Sequence, residues 1–440
     1  MKRIMLWGWM EADQRQAVVA FQQCGIAEVV EWVADADFSE KSYIGFLYNQ
    51  PDWGRFVLNK NIEPLSAAEL IKFMDMFSRE KRSRGLDVHE LLNIAKNYFR
   101  YFIWLITSKK IDHVLFSVMP IIGLDYVCYL AARRLNVDTV MCYQSLFPNR
   151  FFFVHELEDF GIFSGVSSRS LGASPEIDWG YKKDLFYMKG QVIKNRRISP
   201  SYRLLKDFFR YGIRKSKKPM RFSGAFENFT QAKEFDVNYK RYAKQQIDLD
   251  LSVNFVYFPL HLQPELTTTG MGGDFSDQLD AIETLSEMLP FGWKVYVKEN
   301  PKQGFEQRGV EFFHRVRSLA NVEYLSKEVN TYALMEHCRF VATITGTAGW
   351  EAITGGKPAL VFGLAWYAQM PGVVRYKKGL LIEAILNASC DQESQKICYE
   401  EIFKKTRVGI IDGVYTAIHE NYDASKNSQN LENFLKEIVS

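Results

Sequence analysis

Apolar residues in this chain fall into short β-branched runs, separated by stretches in which they recur every three or four positions. That alternation is expected of parallel strands joined by crossover helices. Ile4–Trp9 and Glu28–Val33 read as strands flanking a helix over Gln14–Cys24. Glu69–Arg82 and His89–Ser108 read as helices, the second rich in aromatic residues. Val114–Val118 reads as a strand running into SVMPIIGLD, followed by a helix over Leu124–Arg134 and a strand over Thr139–Cys142. The alternation restarts at NFVYFP, Asn254–Pro259. A helix over Leu279–Met288 and strands over Trp293–Val297 and Phe340–Ile344 follow. Ala348–Thr354 reads as a helix closed by Gly355-Gly356, before a strand at Ala359–Phe362. The pattern predicts an α/β chain of two Rossmann-like units, with segments at 1–245, 246–390 and 391–440.

Composition narrows the classes. A chain of 440 residues, 47% hydrophobic and 15% aromatic, has enough apolar matter for two or three packed domains. A formal charge of +3 gives no footprint of a nucleic-acid partner, and none is expected. Cys24, Cys128, Cys142, Cys338, Cys390 and Cys398 show no metal-like spacing and read as reduced cysteines of a cytoplasmic protein. MKRIMLWGWM is followed at once by Glu11-Ala12-Asp13, so it reads as a first strand and not a signal peptide. No apolar run reaches the roughly eighteen residues of a membrane span. The chain is expected to be cytoplasmic, at most peripheral on the inner membrane face.

One segment bears on that last point. Between Tyr181 and Met220 there are thirteen Lys/Arg against two acids, Asp184 and Asp207. Tyr202, Leu204, Leu205, Phe208, Phe209, Tyr211 and Ile213 recur among them at near-helical spacing. Such a helix either packs its apolar stripe on its own domain or lies on an anionic membrane surface.

Candidate chemistry gathers at strand ends. Thr345, Gly346 and Thr347 sit where a strand hands over to a helix, placing backbone N–H groups and two hydroxyls at a helix N-terminus. That is an anion site, or else an ordinary crossover capped by threonine. Glu351, one turn further, suits a sugar hydroxyl. The run HLQPELTTTGMGGDFSDQ reads as a long polar loop bearing His261, Gln263 and Glu265, and the strand beside it ends in Lys298-Glu299-Asn300-Pro301. FFFVHELEDFG carries His155, Glu156, Glu158 and Asp159 after an apolar strand. It reads as a loop aimed into an interdomain cleft, or as a solvated acidic turn. Asp236 is a further acid before the second unit. His89, His113, His314, His337 and His419 lack paired ligand spacing. Two Asp-x-Asp triplets, Asp35-Ala36-Asp37 and Asp248-Leu249-Asp250, are short enough to arise by chance, and no metal or other cofactor is expected.

HLQPE with TTTG, then DQ, VYVKENP, TGTAGWEAITGGKP and FGLAWY together resemble the bacterial capsule and surface-polysaccharide synthesis glycosyltransferases, above all the retaining β-Kdo transferases that use CMP-Kdo. The motifs cover Asn254 to Tyr367; the first half matches only in general shape. Where this chain has Asn300, family members often have His, so the cationic form is lost here while a hydrogen-bond donor is kept. The resemblance implies a GT-B arrangement, two Rossmann-like units facing across a cleft, with the last helices crossing back to the first unit. It implies transfer of Kdo from the nucleotide-sugar donor to a growing surface glycan, lipopolysaccharide or capsule, on an acceptor expected to be lipid-linked.

Kdo is a keto sugar acid, and departure of CMP leaves an oxocarbenium-like centre that a carboxylate can trap. Retention needs two displacements. Asp159 is the expected nucleophile, Glu158 the acid/base or a substrate contact, and Asp236 the reserve. The related enzymes have a Glu-Asp-Gly type segment here, interrupted in this chain by Phe160. His261 is suited to protonating or binding the phosphate, or to binding the Kdo carboxylate. Gln263, Glu265, Lys298, Asn300, Thr345, Gly346, Thr347 and Glu351 are the expected donor contacts, with Lys298 on phosphate and Glu351 on ribose. The alternatives are a transferase of the same build using another CMP-nonulosonate or a UDP-sugar, a sugar-nucleotide epimerase, and a non-catalytic assembly scaffold.

Overall fold

The computed structural model describes residues 1–34, 61–78, 86–169, 172–181, 222–419 and 421–439. The Asp35-Ala36-Asp37 triplet and the basic segment beyond Tyr181 lie outside them.

The first sheet is built from β1 (Lys2–Trp7), β2 (Ala27–Val33), β3 (His113–Phe116), β4 (Asp138–Gln144) and β5 (Arg150–Val154). The first four are parallel, while β5 turns back antiparallel on β4. Helices α1 (Ala12–Gln23), α2 (Ala67–Phe77), α3 (Val88–Ser108) and α4 (Leu124–Arg134) accompany them. Ser66 with Glu69, and Asp87 with Glu90, exchange side-chain and backbone hydrogen bonds at the starts of α2 and α3. These pairings satisfy amides that the first helical turn leaves open. α3 buries its aromatic stripe on the sheet, with the Phe102 and Trp7 rings 5.7 Å apart, edge to face.

After α5 (Phe222–Tyr242), the second sheet comprises β6 (Phe255–Pro259), β7 (Lys294–Lys298), β8 (Val322–Leu325), β9 (Val341–Thr343), β10 (Ala359–Val361) and β11 (Val373–Arg375). Its order is β11-β10-β9-β6-β7-β8, parallel throughout. The helices α6 (Gln278–Met288), α7 (Val310–Ser318), α8 (Thr331–His337) and α9 (Thr347–Thr354) connect its strands. The α/β class is as expected, and each sheet carries the parallel crossovers of a Rossmann-like unit.

The chain then passes through α10 (Ile382–Leu386) and α11 (Gln392–Lys404) and returns to the first unit. β12 (Arg407–Val408) pairs antiparallel with β5, extending the first sheet to the order β12-β5-β4-β3-β1-β2. Beyond the short α12 (Gly413–Thr416), α13 (Ala424–Val439) packs on α1. Asn427 Nδ2 and the Tyr422 hydroxyl both donate to Asp13 Oδ2, at 2.6 and 2.5 Å. A buried carboxylate with two donors pins the returning segment to the first helix.

The two sheets meet at their carboxyl ends. A Cβ on Gly270, in the loop after β6, would lie 3.1 Å from the Pro120 carbonyl in the loop after β3 and 3.5 Å from Met76 Cε on α2. Gln307 Nε2 donates to Asp75 Oδ1 of α2 at 3.2 Å. On the β5 side, a Cβ on Gly161 (φ +86°) would lie 2.1 Å from the Ala365 carbonyl, so only glycine allows that approach. The Phe147 and Trp366 rings pack 5.7 Å apart across the same seam. No described helix is long and apolar enough to cross a membrane.

Candidate functional site

The turn after β9 is braced from three sides. Thr343 Oγ1 accepts from Gly346 N at 3.1 Å and lies 2.9 Å from His261 Nε2. Thr345 N donates to that same nitrogen at 3.4 Å, which makes Nε2 an acceptor and places the imidazole proton on Nδ1. The buried Tyr367 hydroxyl donates to the Gly346 carbonyl. A Cβ at Gly346 would lie 2.8 Å from Thr343 Oγ1 and 3.1 Å from His261 Nε2; one at Gly349 would lie 2.3 Å from the Tyr367 hydroxyl oxygen. Both glycines are therefore dictated by space.

Above this brace α9 begins, its first amides lacking intrahelical acceptors. The helix starts at Thr347, one residue before the expected position. Thr345 Oγ1 donates to the Thr267 carbonyl at 2.7 Å, so that hydroxyl ties two loops together. The half-buried Thr347 and the buried Glu351 follow on the helix. Burial, with the positive Arg308 adding to it, lowers the pKa of His261 to about 4. A neutral imidazole at pH 7 can orient or accept, and it holds no proton to give as a cationic acid.

Beside the turn, the ends of β6 and β7 are knitted together by several expected donor contacts and by groups outside them. Arg308 and Glu299 are both fully buried, and Arg308 Nε donates to Glu299 Oε2 at 2.8 Å. Arg308 Nη1 donates to Gln263 Oε1 at 2.8 Å, and the Tyr324 hydroxyl donates to Glu299 Oε2 at 2.8 Å. Gln263 Nε2 reaches the Ser276 carbonyl at 2.9 Å, so its amide is spent on holding the loop. Asn300 Nδ2 donates to the Leu260 carbonyl at 3.3 Å and its Oδ1 accepts from Lys302 N at 2.9 Å, a clamp between strand ends. Glu265 Oε2 accepts from Thr267 Oγ1 at 3.1 Å. Lys298 is buried at the end of β7; burial lowers its pKa, opposed by the charges of Glu328 and Glu299.

The polar run after β6 is more ordered than a loop. Leu266–Gly270 forms a π-helical turn and Gly273–Phe275 a 3₁₀ turn, packed against α2 by the buried Leu266 and Met271. Charge identity in that run conceals the apolar anchors that fold it. Gly363 completes the packing, since a Cβ there would lie 2.6 Å from the Met271 carbonyl.

The acidic loop divides its carboxylates between two tasks. Asp159 closes a 3₁₀ turn over Leu157–Asp159. Its Oδ1 accepts from Ser164 N at 3.0 Å and from Ser164 Oγ at 2.5 Å, and its Oδ2 accepts from Gly165 N at 3.3 Å. Three donors of its own loop thus hold the residue expected to attack. Glu158 is exposed, and its charge acts on Lys72, Tyr126 and Tyr129 of α2 and α4. Glu156 pairs with Arg133 at 2.6 Å, and His155 Nδ1 lies 3.1 Å from the Thr139 carbonyl. Asp236 is exposed on α5. Asp248 and Asp250 cap local turns, through Gln245 N at 3.1 Å and Ser252 N at 2.9 Å. Among the described residues no cluster of three metal-type ligands occurs.

A separate cavity of about 560 Å³ lies between 172–179 and α11, lined by Trp179, Tyr399, Lys396 and Lys404 among others. The adjoining Gly180 N donates to the Thr354 carbonyl, which places this cavity at the opposite end of α9 from the braced turn.

Residues 253–406 match the family model described as "Capsule polysaccharide biosynthesis protein". The resemblance carried by the motifs is thereby borne out: the second unit and the returning helix resemble the capsule polysaccharide biosynthesis proteins. Among solved structures, the chain is similar to the Thermosulfurimonas dismutans KpsC β-Kdo 2,7 transferase at 13% identity, covering 76% of this chain and 89% of that one, with a TM-score of 0.34. It is similar to the β-Kdo 2,4 transferase of the same KpsC at 12% identity, covering 68% and 82%, with a TM-score of 0.31. The UDP-GlcNAc 2-epimerase of Methanocaldococcus jannaschii matches at 10% identity over 100% and 99%, with a TM-score of 0.23. No curated protein sequence matches the chain.

Proposed function

We propose that this chain is a glycosyltransferase that moves Kdo from CMP-Kdo to a growing bacterial surface glycan with retention of configuration. The observation that supports it most is the braced turn at Thr345–Thr347. It has open helix-terminal amides, a neutral histidine beneath it, and a buried acid one turn further along α9. In this reading the amides of Thr347 and Ala348 and the Thr347 hydroxyl hold the CMP phosphate, helped by Lys298. Glu351 accepts from the ribose hydroxyls. His261 supports the turn and does not act as an acid. Gln263 and Asn300 hold the loops in place and leave the phosphate to the helix terminus.

The reacting carbon then faces the first unit. In this reading Glu158, the exposed acid of the loop, attacks it opposite the departing phosphate, while Asp159 keeps the loop in shape. Attack by a Glu158 oxygen breaks the bond to the CMP phosphate oxygen and leaves a glycosyl ester on the enzyme. An acceptor hydroxyl then displaces the carboxylate, and its proton passes to the released CMP phosphate or to water. The protein needs no metal in this scheme, because the helix terminus and Lys298 offset the phosphate charge. The acceptor is proposed to be lipid-linked and met at the inner membrane face.

Thermal unfolding with CMP, UDP and GDP tests the donor class, because a ligand that binds only the native state raises Tm by mass action. CMP is expected to give the largest rise. A larger rise with UDP would replace the Kdo reading with a UDP-sugar enzyme.

A further inference from the structure

Lys72 occupies a position that the scheme above does not use. It lies on α2, one turn before Met76, the residue that packs against the loop after β6. Its ammonium sits 5.2 Å from the centroid of the Tyr126 ring, an aromatic platform on α4. Two carboxylates act on it, Glu158 from the first unit and Asp274 from the second. The cation therefore stands where the acidic loop of one unit and the donor loop of the other come together. The loop after β6 continues the connection to the anion turn, since Thr345 Oγ1 bonds the Thr267 carbonyl and Thr267 lies in the turn that α2 packs against.

The position has a chemical consequence. With CMP held at α9, the sugar must extend from the second unit toward Glu158. A keto sugar acid carries a carboxylate on its anomeric carbon, so that carboxylate arrives in the same gap as the attacking acid. Two anions converging on one carbon repel unless a cation lies between them. Lys72 is partly buried and held against Tyr126, so the side-chain entropy a mobile surface lysine would lose on binding is reduced. Burial lowers its pKa, opposed by Glu158 and Asp274, which is the cost of keeping a cation beside the Tyr126 ring.

We infer that Lys72 forms a carboxylate-binding subsite for the sugar acid of the donor, seated between the two units and against Tyr126. The inference rests on the CMP-sugar-acid reading and gives it a specificity element: donors with a neutral sugar lack the group Lys72 would bind.

The test compares the affinities of CMP and CMP-Kdo for wild type, Lys72→Met and Lys72→Arg by calorimetry. Wild type should bind CMP-Kdo more tightly than CMP. Lys72→Met should weaken CMP-Kdo roughly ten- to hundredfold, the range for a lost hydrogen bond to a charged group, and leave CMP unchanged. Lys72→Arg, which keeps the charge, should retain most of the CMP-Kdo affinity. Unchanged CMP-Kdo affinity in Lys72→Met, or an equal loss for CMP, overturns the subsite. Should Lys72→Met fail to fold, wild type and Lys72→Arg decide: no preference of wild type for CMP-Kdo over CMP overturns it, and a preference retained by Lys72→Arg supports it. Wild type that binds neither CMP nor CMP-Kdo overturns the donor reading and this inference with it. Wild type that binds CMP without that preference overturns this inference alone.

Discussion

Arg308 and Glu299 form a fully buried ion pair, Nε to Oε2 at 2.8 Å, at the place where the segments after β6 and β7 leave the second sheet. Glu299 follows β7 and Arg308 precedes α7, while the same guanidinium holds Gln263 after β6. The pair fixes the floor of the candidate site from below. Such pairs are costly to desolvate, and their removal one partner at a time is costlier still.

Arg308→Met should therefore destabilise the protein by about 3–5 kcal/mol, because it leaves a buried carboxylate without its cation. Pairing it with Glu299→Gln should recover much of the loss. Urea unfolding of both variants decides the point; a double variant as unstable as the single would mean that the loop contacts of Arg308 matter more than its charge.

The pH dependence of His261 has a definite sign. Its folded pKa is lowered to about 4, below the ordinary value of about 6.5, so its neutral form is favoured by folding. Both states are neutral above about pH 6.5, and no stability depends on it there. As pH falls toward 4 the unfolded chain takes up the proton first, and stability is lost, on the order of 3 kcal/mol across that window. Asp125 opposes this, since burial raises its pKa to about 6 and its contribution grows as pH falls through the same range. The measurement is the pH slope of the unfolding free energy in wild type minus that in His261→Gln, which cancels Asp125. Parallel slopes would contradict the shift.

Gly346→Ala should abolish most CMP binding and lower Tm, with the protein still folded. The added Cβ would sit 2.8 Å from Thr343 Oγ1 and 3.1 Å from His261, inside the brace of the anion turn. Gly349→Ala should weaken CMP binding too, at a larger cost in Tm, by pushing the buried Tyr367 off the Gly346 carbonyl. Calorimetric affinity for CMP alongside circular dichroism separates the two effects; full affinity in Gly346→Ala would move the phosphate elsewhere.

Lys298→Ala should weaken CMP more than cytidine, because a point charge acts on phosphate. Glu351→Ala should weaken both equally, because ribose is common to them. A charge-assisted contact of this kind accounts for roughly ten- to hundredfold in affinity. Equal losses of CMP and cytidine in Lys298→Ala would take the phosphate role from that residue.

Glu158→Gln should lower turnover by roughly 10³-fold or more with CMP affinity little changed, by analogy with other nucleophile knockouts. Asp159→Asn replaces one oxygen of the loop cap, so its effect should be a lower Tm and a smaller loss of rate. Intact-mass analysis after mixing with CMP-Kdo would locate any glycosyl adduct by peptide. An adduct on Asp159, or full turnover in Glu158→Gln, reverses the assignment of the two acids.

Periodicity alone determined the α/β class, and most of the elements foreseen for the described residues lie within a few residues of their expected bounds. Gln278–Met288 was expected to start at Leu279, and Ala12–Gln23 at Gln14. These are local matters, since spacing of apolar side chains and capping groups acts over one or two turns. The motif run from His261 to Tyr367 also announced the capsule-synthesis resemblance by residue identity. Tertiary structure decided what each polar residue is used for. Asp159 reads in sequence as a nucleophile and Gln263 and Asn300 as donor contacts, and in the structure each is hydrogen-bonded to its own scaffold. Arg308 and Lys72 attract no notice in sequence, and Tyr367 is noticed only as the end of a motif, because their partners lie 9 to 21 residues away or on a different element. A hydrogen bond is made across space, and sequence spacing records which neighbours a side chain can reach only within its own helix or strand. The approach of Gly161 to Ala365, and with it the meeting of the two units, is set by close packing of backbones that no periodicity encodes.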